Sequence, residues 1–546
     1  MRTTVDAVAE FLAAAGIRRM YGVPGAGSSL DVIEAIRRRG IEFVSTHHPG
    51  AAILMAATDG DLSGRPGVCV VPQGSGLAGA VSGLALAHLD RVPLIVLSEC
   101  PPRASRRAGV RRVLDHPQVL RGVTKDGATI TSTRAERLIA WAWEEAAATP
   151  AGPVFLELPA DEALRPTRRR AISLPRRKPV GPSPNAIRKI ARLLIRAGRA
   201  VVVAGMGCRD GSVALALRDL VEHLGSPVFT TQRAKGVIPE DHPLAAGVFA
   251  GGRLEEEFLG RAECVLAVGL DSVEILPRPW RPGPTVLSVV ACQEITLPYE
   301  ADAEAVGDLA TALVRLQEEL PPAGEWHFAD WAKRGERFHT RMRSLLAETG
   351  RVRGSQWMAP HRVVEIAREV FPRPTVAVAD AGAHALAVAA FWEAYEPKGY
   401  LCPSGPGGTG YALPVAIAAK LAAPDRPVVA FMGEGGFLLN LAEVATAGRL
   451  GVPLAIVVFL DGALSWVRVA QEQKRYAPVG ASLEPMDIPM LAESLGVLGT
   501  VVEDEESLRA ALQEAAETTR PAIVVARVNP HGYRRMVEIL RGKADR

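Results

Sequence analysis

Gly433-Glu434-Gly435-Gly436 follows the apolar run PVVAFM and opens a helical stretch, FLLNLAEVATAGRL. Glycines let a backbone turn sharply and approach a ligand closely. The helix behind them offers free N–H groups and a positive dipole end, which suits a phosphate. A carboxylate inside such a turn makes sense if a divalent cation offsets the phosphate charge. The next apolar run, PLAIVVFLD, ends at Asp461-Gly462-Ala463, a second carboxylate at a strand end. Parallel neighbours lie about 4.8 Å apart, so Glu434 and Asp461 would share a magnesium with a carbonyl of the Asp461 turn, diphosphate oxygens and water. Two adjacent histidines, His47 and His48, occupy another strand-to-helix turn in EFVSTHHPGAAILMAATDG. A metal site, a catalytic base and a surface turn are all open for that pair. Gln73, in VPQGSG, also follows a strand end and could approach a ligand.

Strand-like apolar runs alternate with helical segments along the whole chain, among them GVCVVP, PLIVLSE, PVFLELP, AVVVAG, CVLAVG, TVLSVV, TVAVAD and PAIVVARV. Continuous apolar strands of this kind predict parallel sheets covered by helices on both faces. The expected fold is α/β, with three consecutive doubly wound parallel-sheet domains. The basic, proline-rich stretch over 166–184 and the segment over 321–345, which begins with PPAGEW after Leu320, read as linkers. They bound modules at 1–165, 185–320 and 346–546. Ligands of such sheets bind at the carboxyl ends of the strands, so residues just after them carry the chemistry.

Composition narrows the rest. The 546 residues carry 48% apolar and 23% charged side chains, ordinary for a globular protein, and a net charge of +3 gives no nucleic-acid footprint. No apolar run approaches the roughly 18–20 residues of a membrane span. The N-terminus lacks a signal-peptide core, and the six cysteines show no CxxC spacing. Reduced thiols and a cytoplasmic location are the expectation, with neither nucleic acid nor membrane as a partner.

The order of the parts is more specific than any one of them: 25 residues separate Gly435 from the Asp461-Gly turn. Here the chain resembles the thiamine diphosphate (ThDP) enzymes, particularly the acetolactate synthase-like group. GPGGTGYALPVAIAAKLAAPDRPVVAFMGEGGFLLNLAEVATAGRLGVPLAIVVFLDGALSWVR is similar to that family's diphosphate-binding domain. GSPVFTTQRAKGVIPEDHPLAAGVF is similar to its central domain, and YGVPGAG with GVCVVPQGSGLAGAVSGLALAHLDRVPLIVLSE to its pyrimidine-binding domain. The resemblance implies ThDP and Mg²⁺ as cofactors, and Glu434, Asp461 and the Ala463 carbonyl as metal ligands. It implies cofactor contacts at Gly382, Ala383 and His384 in VADAGAHA, at Gly408 and Thr409, and at Gly433, Gly435 and Gly436. It also implies a homodimer or homotetramer with active sites at the dimer interface, and a 2-oxo acid or related acyl donor as substrate.

The chain departs from the pattern at informative places. The family's activating glutamate, in His-Glu-x-x-Ala-Ala, aligns with His48 of HHPGAA. A neutral imidazole there could bond the pyrimidine N1′ as donor or acceptor, but it supplies no fixed negative charge. Thr409 aligns with the bulky residue that props the cofactor's V shape, and Arg111-Arg112 with a substrate-facing loop. A pair of guanidinium groups would suit a doubly anionic substrate. His48, Gln73 and Arg112 are therefore the candidate catalytic residues. In the central module, Gly205-Met206-Gly207 follows a strand without a third glycine at the required offset, and FAD binding there is left open. Three functions remain: a lyase or carboligase, a flavin-linked oxidase, and a non-catalytic or weakly cofactor-binding homologue.

Overall fold

The structure, a computed structural model, describes residues 1–102, 114–168, 174, 180–274, 283–295, 297, 299–322, 329–350, 355–404 and 407–541. The chain forms two compact units. One comprises Met1–Arg177 with Leu413–Pro424 and Asn440–Val452; the other comprises Lys178–Ala412, Asp425–Leu439 and Pro453–Arg546.

The first unit is built on a parallel sheet of β1 (Arg19–Gly22), β2 (Glu42–Ser45), β3 (Gly67–Val71), β4 (Leu94–Cys100), β5 (Asp126–Thr129) and β6 (Pro153–Pro159), in the order β2-β1-β3-β4-β6-β5. β3, β4 and β6 are buried throughout because their unbroken apolar runs are covered on both faces. The edge strands β2 (EFVS) and β5 (DGAT) are short and partly exposed.

The second unit carries two parallel sheets. One contains β7 (Ala200–Ala204), β8 (Val228–Thr230), β9 (Ala245–Val248), β10 (Cys264–Val268), β11 (Thr285–Val290) and β12 (Ala303–Val306), ordered β12-β11-β10-β7-β8-β9. The other contains β13 (Val376–Ala379), β14 (Tyr400–Leu401), β15 (Val428–Gly433), β16 (Ala455–Leu460), β17 (Leu498–Val502) and β18 (Ala522–Arg527), ordered β14-β13-β15-β16-β18-β17. Each of the three sheets reverses its strand order at its first strand, β1, β7 or β13, and the first and third sheets turn back once more at their far edge, β4-β6-β5 and β16-β18-β17. The reversal at the first strand is the doubly wound pattern and places a ligand crevice there. The α/β expectation holds.

One boundary differs. The expected linker over 321–345 contains most of a 21-residue helix, Ala329–Thr349. Trp331, Met342 and Leu346 are buried, and the Trp331 indole N–H donates to Ala200 O at 2.8 Å beneath the second sheet. The proline-rich LPPAGEW ended the preceding module, but the apolar residues after it recur at helical spacing and bury one face. Of the basic stretch, residues 169–173 and 175–179 lie outside the described residues. All six cysteines are free, and no helix among the described residues is long and apolar enough to cross a membrane.

Within the second unit the two sheet modules are joined by a buried ion pair. Lys235 Nζ lies 2.5 and 2.7 Å from the Glu240 carboxylate oxygens and donates to Ala389 O at 2.9 Å. Glu240 also accepts the Ala394 N–H at 2.6 Å. Lys235→Met would leave Glu240 charged and unpaired inside the protein, so a stability loss of about 3–5 kcal/mol is expected. Urea unfolding measures it; a loss under about 1 kcal/mol would place the pair in the solvated class.

Candidate cofactor and catalytic site

The predicted phosphate and metal residues all fall at carboxyl ends of adjacent strands of the third sheet. Gly382, Ala383 and His384 follow β13, Gly408 and Thr409 follow β14, Gly433–Gly436 end β15, and Asp461–Ala463 follow β16. β15 and β16 pair in register from Val429↔Ala455 to Gly433↔Phe459, and that pairing brings the two acids together. Glu434, 5% exposed, turns one carboxylate oxygen back onto the Asp461 N–H at 3.0 Å and the Gly462 N–H at 2.6 Å. Asp461 accepts from the Ser465 hydroxyl at 2.8 Å and from the Ala463 N–H at 3.2 Å. Burial raises the Glu434 pKa. Burial, with the neighbouring Glu434 charge adding to it, pushes Asp461 up to about 6. Two desolvated, mutually repelling carboxylates are a donor set that a cation stabilises. Among the described residues no group of three or more acidic, histidine or cysteine side chains could hold a metal, so further ligands would come from backbone and ligand oxygens.

The turns around the pair fit an anion. His384 is buried and stacks on Phe459 at 5.3 Å, and among the described residues its Nε2 has no hydrogen-bond partner. Burial holds its pKa down at about 4, so the ring is neutral. An orphaned buried nitrogen of this kind calls for a ligand. A Cβ added at Gly436 would stand 2.0 Å from Asp380 Oδ2, and one at Gly433 would stand 3.3 Å from His384 Nδ1. Only glycine fits at Gly436, and at Gly433 a side chain would press the His384 ring back by a few tenths of an ångström. The helix expected behind the turn is shorter than its sequence suggests: Glu434–Leu439 stops before Asn440, and a second helix runs from Ala442 to Leu450.

Asp380, which the sequence reading passed over inside VADAGAHA, ties these turns together. Its carboxylate accepts the N–H groups of Gly410 and Tyr411 at 3.0 Å each, as well as that of Ala381 at 2.9 Å. It thereby fixes the Gly408-Thr409 turn, where Gly408 is buried and Thr409 exposed. Burial raises Asp380 to about 7; the same cause takes Glu274 to about 7 and Glu255 to about 8. A carboxyl whose folded pKa exceeds its unfolded value binds more protons when folded, so stability falls as pH rises through the folded value. The unliganded chain is therefore expected to melt at a higher temperature near pH ~6.5 than near pH ~8.5. Below that range the neutral, buried His384 opposes the trend. Thermal unfolding at the two pH values checks it; a Tm rising with pH would contradict the assignment.

His48 and Gln73 belong to the first unit, at carboxyl ends of β2 and β3, with β1 between them. His48 caps the helix Pro49–Ser63: its Nδ1 accepts the Gly50 N–H at 3.0 Å. His47 turns elsewhere, with Nδ1 3.0 Å from the Thr446 hydroxyl. The two rings thus serve different partners. Both backbone N–H groups of the pair donate to the fully buried Glu443, at 3.0 Å each. Gln73 is exposed on a turn held from behind. The Gly74 N–H donates to His116 Nε2 at 3.3 Å, and His116 Nδ1 lies 3.0 Å from Glu157 Oε1. Glu99, at the end of β4, is held by Gln73 and Gly27 backbone and by Ser29, and burial raises its pKa. Glu443, His116, Glu157 and Glu99 were not singled out from sequence: an acid inside an apolar strand run was a signal for Glu157 and Glu99, whereas Glu443 and His116 stand at the starts of helices, where such residues are usually exposed. Arg111 and Arg112 lie outside the described residues.

At the strand reversal of the second sheet, the Gly205-Met206-Gly207 turn already has an anion from the chain itself. Glu274 accepts the Met206 N–H at 2.8 Å, the Asp271 N–H at 3.3 Å and the Thr231 hydroxyl. A carboxylate thus takes the turn's N–H group that a dinucleotide phosphate would need.

Comparison with known proteins agrees with this geometry. Residues 2–122 match the N-terminal TPP binding domain of thiamine pyrophosphate enzymes, 187–316 their central domain and 380–526 their C-terminal TPP binding domain. A catabolic acetolactate synthase of Raoultella terrigena is 27% identical over 96% of this chain and 94% of that protein. A Pseudomonas aeruginosa protein described as "Probable 2-ketoarginine decarboxylase" is 28% identical over 94% of this chain and 93% of its own length. The crystal structure of benzoylformate decarboxylase from Polynucleobacter necessarius shares the fold, with a TM-score of 0.85 at 19% identity, covering 97% of this chain and 99% of that one. With all three domains matched in order and acetolactate synthases among its relatives, the chain belongs to the thiamine pyrophosphate enzymes, in their acetolactate synthase-like group.

Proposed function

We propose that this protein is a ThDP- and Mg²⁺-dependent lyase or carboligase acting on a 2-oxo acid or related acyl donor. It would act as a cytoplasmic homodimer or homotetramer, with His48 in place of the family's activating glutamate. One observation carries the reading: Glu434 and Asp461 converge at the tips of β15 and β16, beside glycine turns and a His384 Nε2 without a partner among the described residues. Glu434, Asp461 and the Ala463 carbonyl would hold the cation. Gly382, Ala383, His384, Gly433, Gly435 and Gly436 would line the diphosphate, with Gly408 and Thr409 on the adjacent turn. When bound, ThDP supplies a carbon nucleophile and an electron sink for cleaving a bond next to a carbonyl. The chain's own residues would orient and desolvate that group, with His48 and Gln73 the candidates to act on its reacting end. The Glu274 contacts favour this reading over a flavin-linked oxidase.

Calorimetric titration with ThDP, with and without Mg²⁺, tests the proposal. Saturable binding that depends on the metal is expected. No binding would leave the non-catalytic reading.

A further inference from the structure

We propose that Glu443 is a positioning residue that sets the hydrogen-bonding sense of His48, so that His48 presents a donor where the family presents a carboxylate acceptor. This rests on the preceding reading only for what His48 faces; the geometry is the chain's own.

Three residues of the helix Ala442–Leu450, spaced three apart, reach one turn of the first unit. Glu443 accepts the N–H groups of His47 and His48 at 3.0 Å each. Thr446 donates to Glu443 at 2.6 Å and stands 3.0 Å from His47 Nδ1. Arg449 donates to Ser45 O. Spacing of three keeps all of them on one helix face. Glu443 is fully buried, so its charge needs these donors, and the turn needs Glu443 to receive N–H groups that precede the helix. A turn held in this way aims the Gly50 N–H at His48 Nδ1.

A nitrogen that accepts an N–H cannot carry its own proton, so in the neutral ring the proton is on Nε2. Nε2 is the atom left to meet a ligand, and it meets it as a donor. Its natural partner is an unprotonated ring nitrogen or a carboxylate oxygen. A protonated pyrimidine nitrogen, which a glutamate would hold, finds no acceptor there. A Cβ added at Gly50 would lie 3.0 Å from Nδ1, so a glycine there leaves the ring in this pose.

Histidine-selective ¹⁵N labelling and long-range ¹H–¹⁵N correlation, at a pH where the ring is neutral, read the tautomer directly, with His48→Gln assigning the signals. The expected result is a protonated Nε2 and an unprotonated Nδ1 in the unliganded protein. Glu443→Ala is expected to convert this to a mixture of tautomers, and Glu443→Gln, which keeps an acceptor oxygen, to restore the wild-type pattern. A proton on Nδ1 in the wild type, or a Glu443→Ala spectrum unchanged at His48, overturns the proposal. Because the wild-type spectrum alone decides the tautomer, a poorly folding Glu443→Ala leaves the test standing. Failure of ThDP to bind in calorimetry would overturn the functional reading but not the tautomer, so the two failures are distinguishable.

Discussion

Glu434→Gln is expected to weaken magnesium-dependent ThDP binding by at least about 100-fold, the upper end of what losing even an outer-shell partner of a metal costs. Glutamine keeps a carbonyl oxygen for the Asp461 and Gly462 N–H groups that Glu434 now receives, so the melting temperature without ligand should barely move. Glu434→Ala removes both the charge and the acceptor. It should lose the same affinity and also leave those two N–H groups unpaired, at about 1–3 kcal/mol of stability. Asp461→Asn should resemble Glu434→Gln, with the amide oxygen still accepting the Ala463 N–H and the amide N–H₂ now donating to the Ser465 hydroxyl, which reverses the sense of that contact. The comparison separates a cation site from a turn that merely needs a cap. If Glu434→Gln binds ThDP and Mg²⁺ like the wild type, the carboxylate is a structural cap and the metal assignment fails.

His48→Glu is the second large effect. As the structure stands, His48 offers Nε2–H outward and uses Nδ1 to cap a helix. A glutamate would provide the negative acceptor that favours a protonated pyrimidine nitrogen, and a positioned acid–base group contributes typically about 10²–10⁴-fold. Exchange of the C2 proton of bound ThDP, followed by NMR after quenching, should therefore accelerate by about 10²-fold. The substitution also disturbs a helix cap, worth about 1 kcal/mol, so the variant should melt slightly lower while exchanging faster. Exchange that is unchanged or slower would mean that position 48 does not face the cofactor.

Legibility followed burial. The strands read as continuous apolar runs, such as GVCVV, PLIVLSE and AVVVAG, are central or well covered, and there hydrophobic patterning is strongest. Strands that were not singled out include the two-residue β14, and β5 and β17, with exposed or half-buried residues along their lengths. Edge strands carry little apolar signal, because one side of the ladder faces away from the core. The helix Ala329–Thr349 was obscured by the prolines that precede it. The helix after Gly436 was overextended: in FLLNLAEVATAGRL a single Asn440, which a helix tolerates, is the only local mark of the point where the backbone stops and restarts at Ala442.

The sequence by itself determined the three α/β modules, the order of the glycine and acid turns, and the placing of a histidine pair at a strand-to-helix turn, because turns and strand ends are local and their chemistry is written in adjacent residues. Only the tertiary structure decided what those residues do to one another. Asp380 binds N–H groups of turns that follow two different strands, Glu443 holds the histidine pair from almost 400 positions away, with |i−j| of 396 and 395, and Glu274 occupies the Met206 N–H of the central turn. Each is a buried carboxylate, and burial forces it to find N–H donors wherever the fold supplies them. No local pattern encodes which donors those will be.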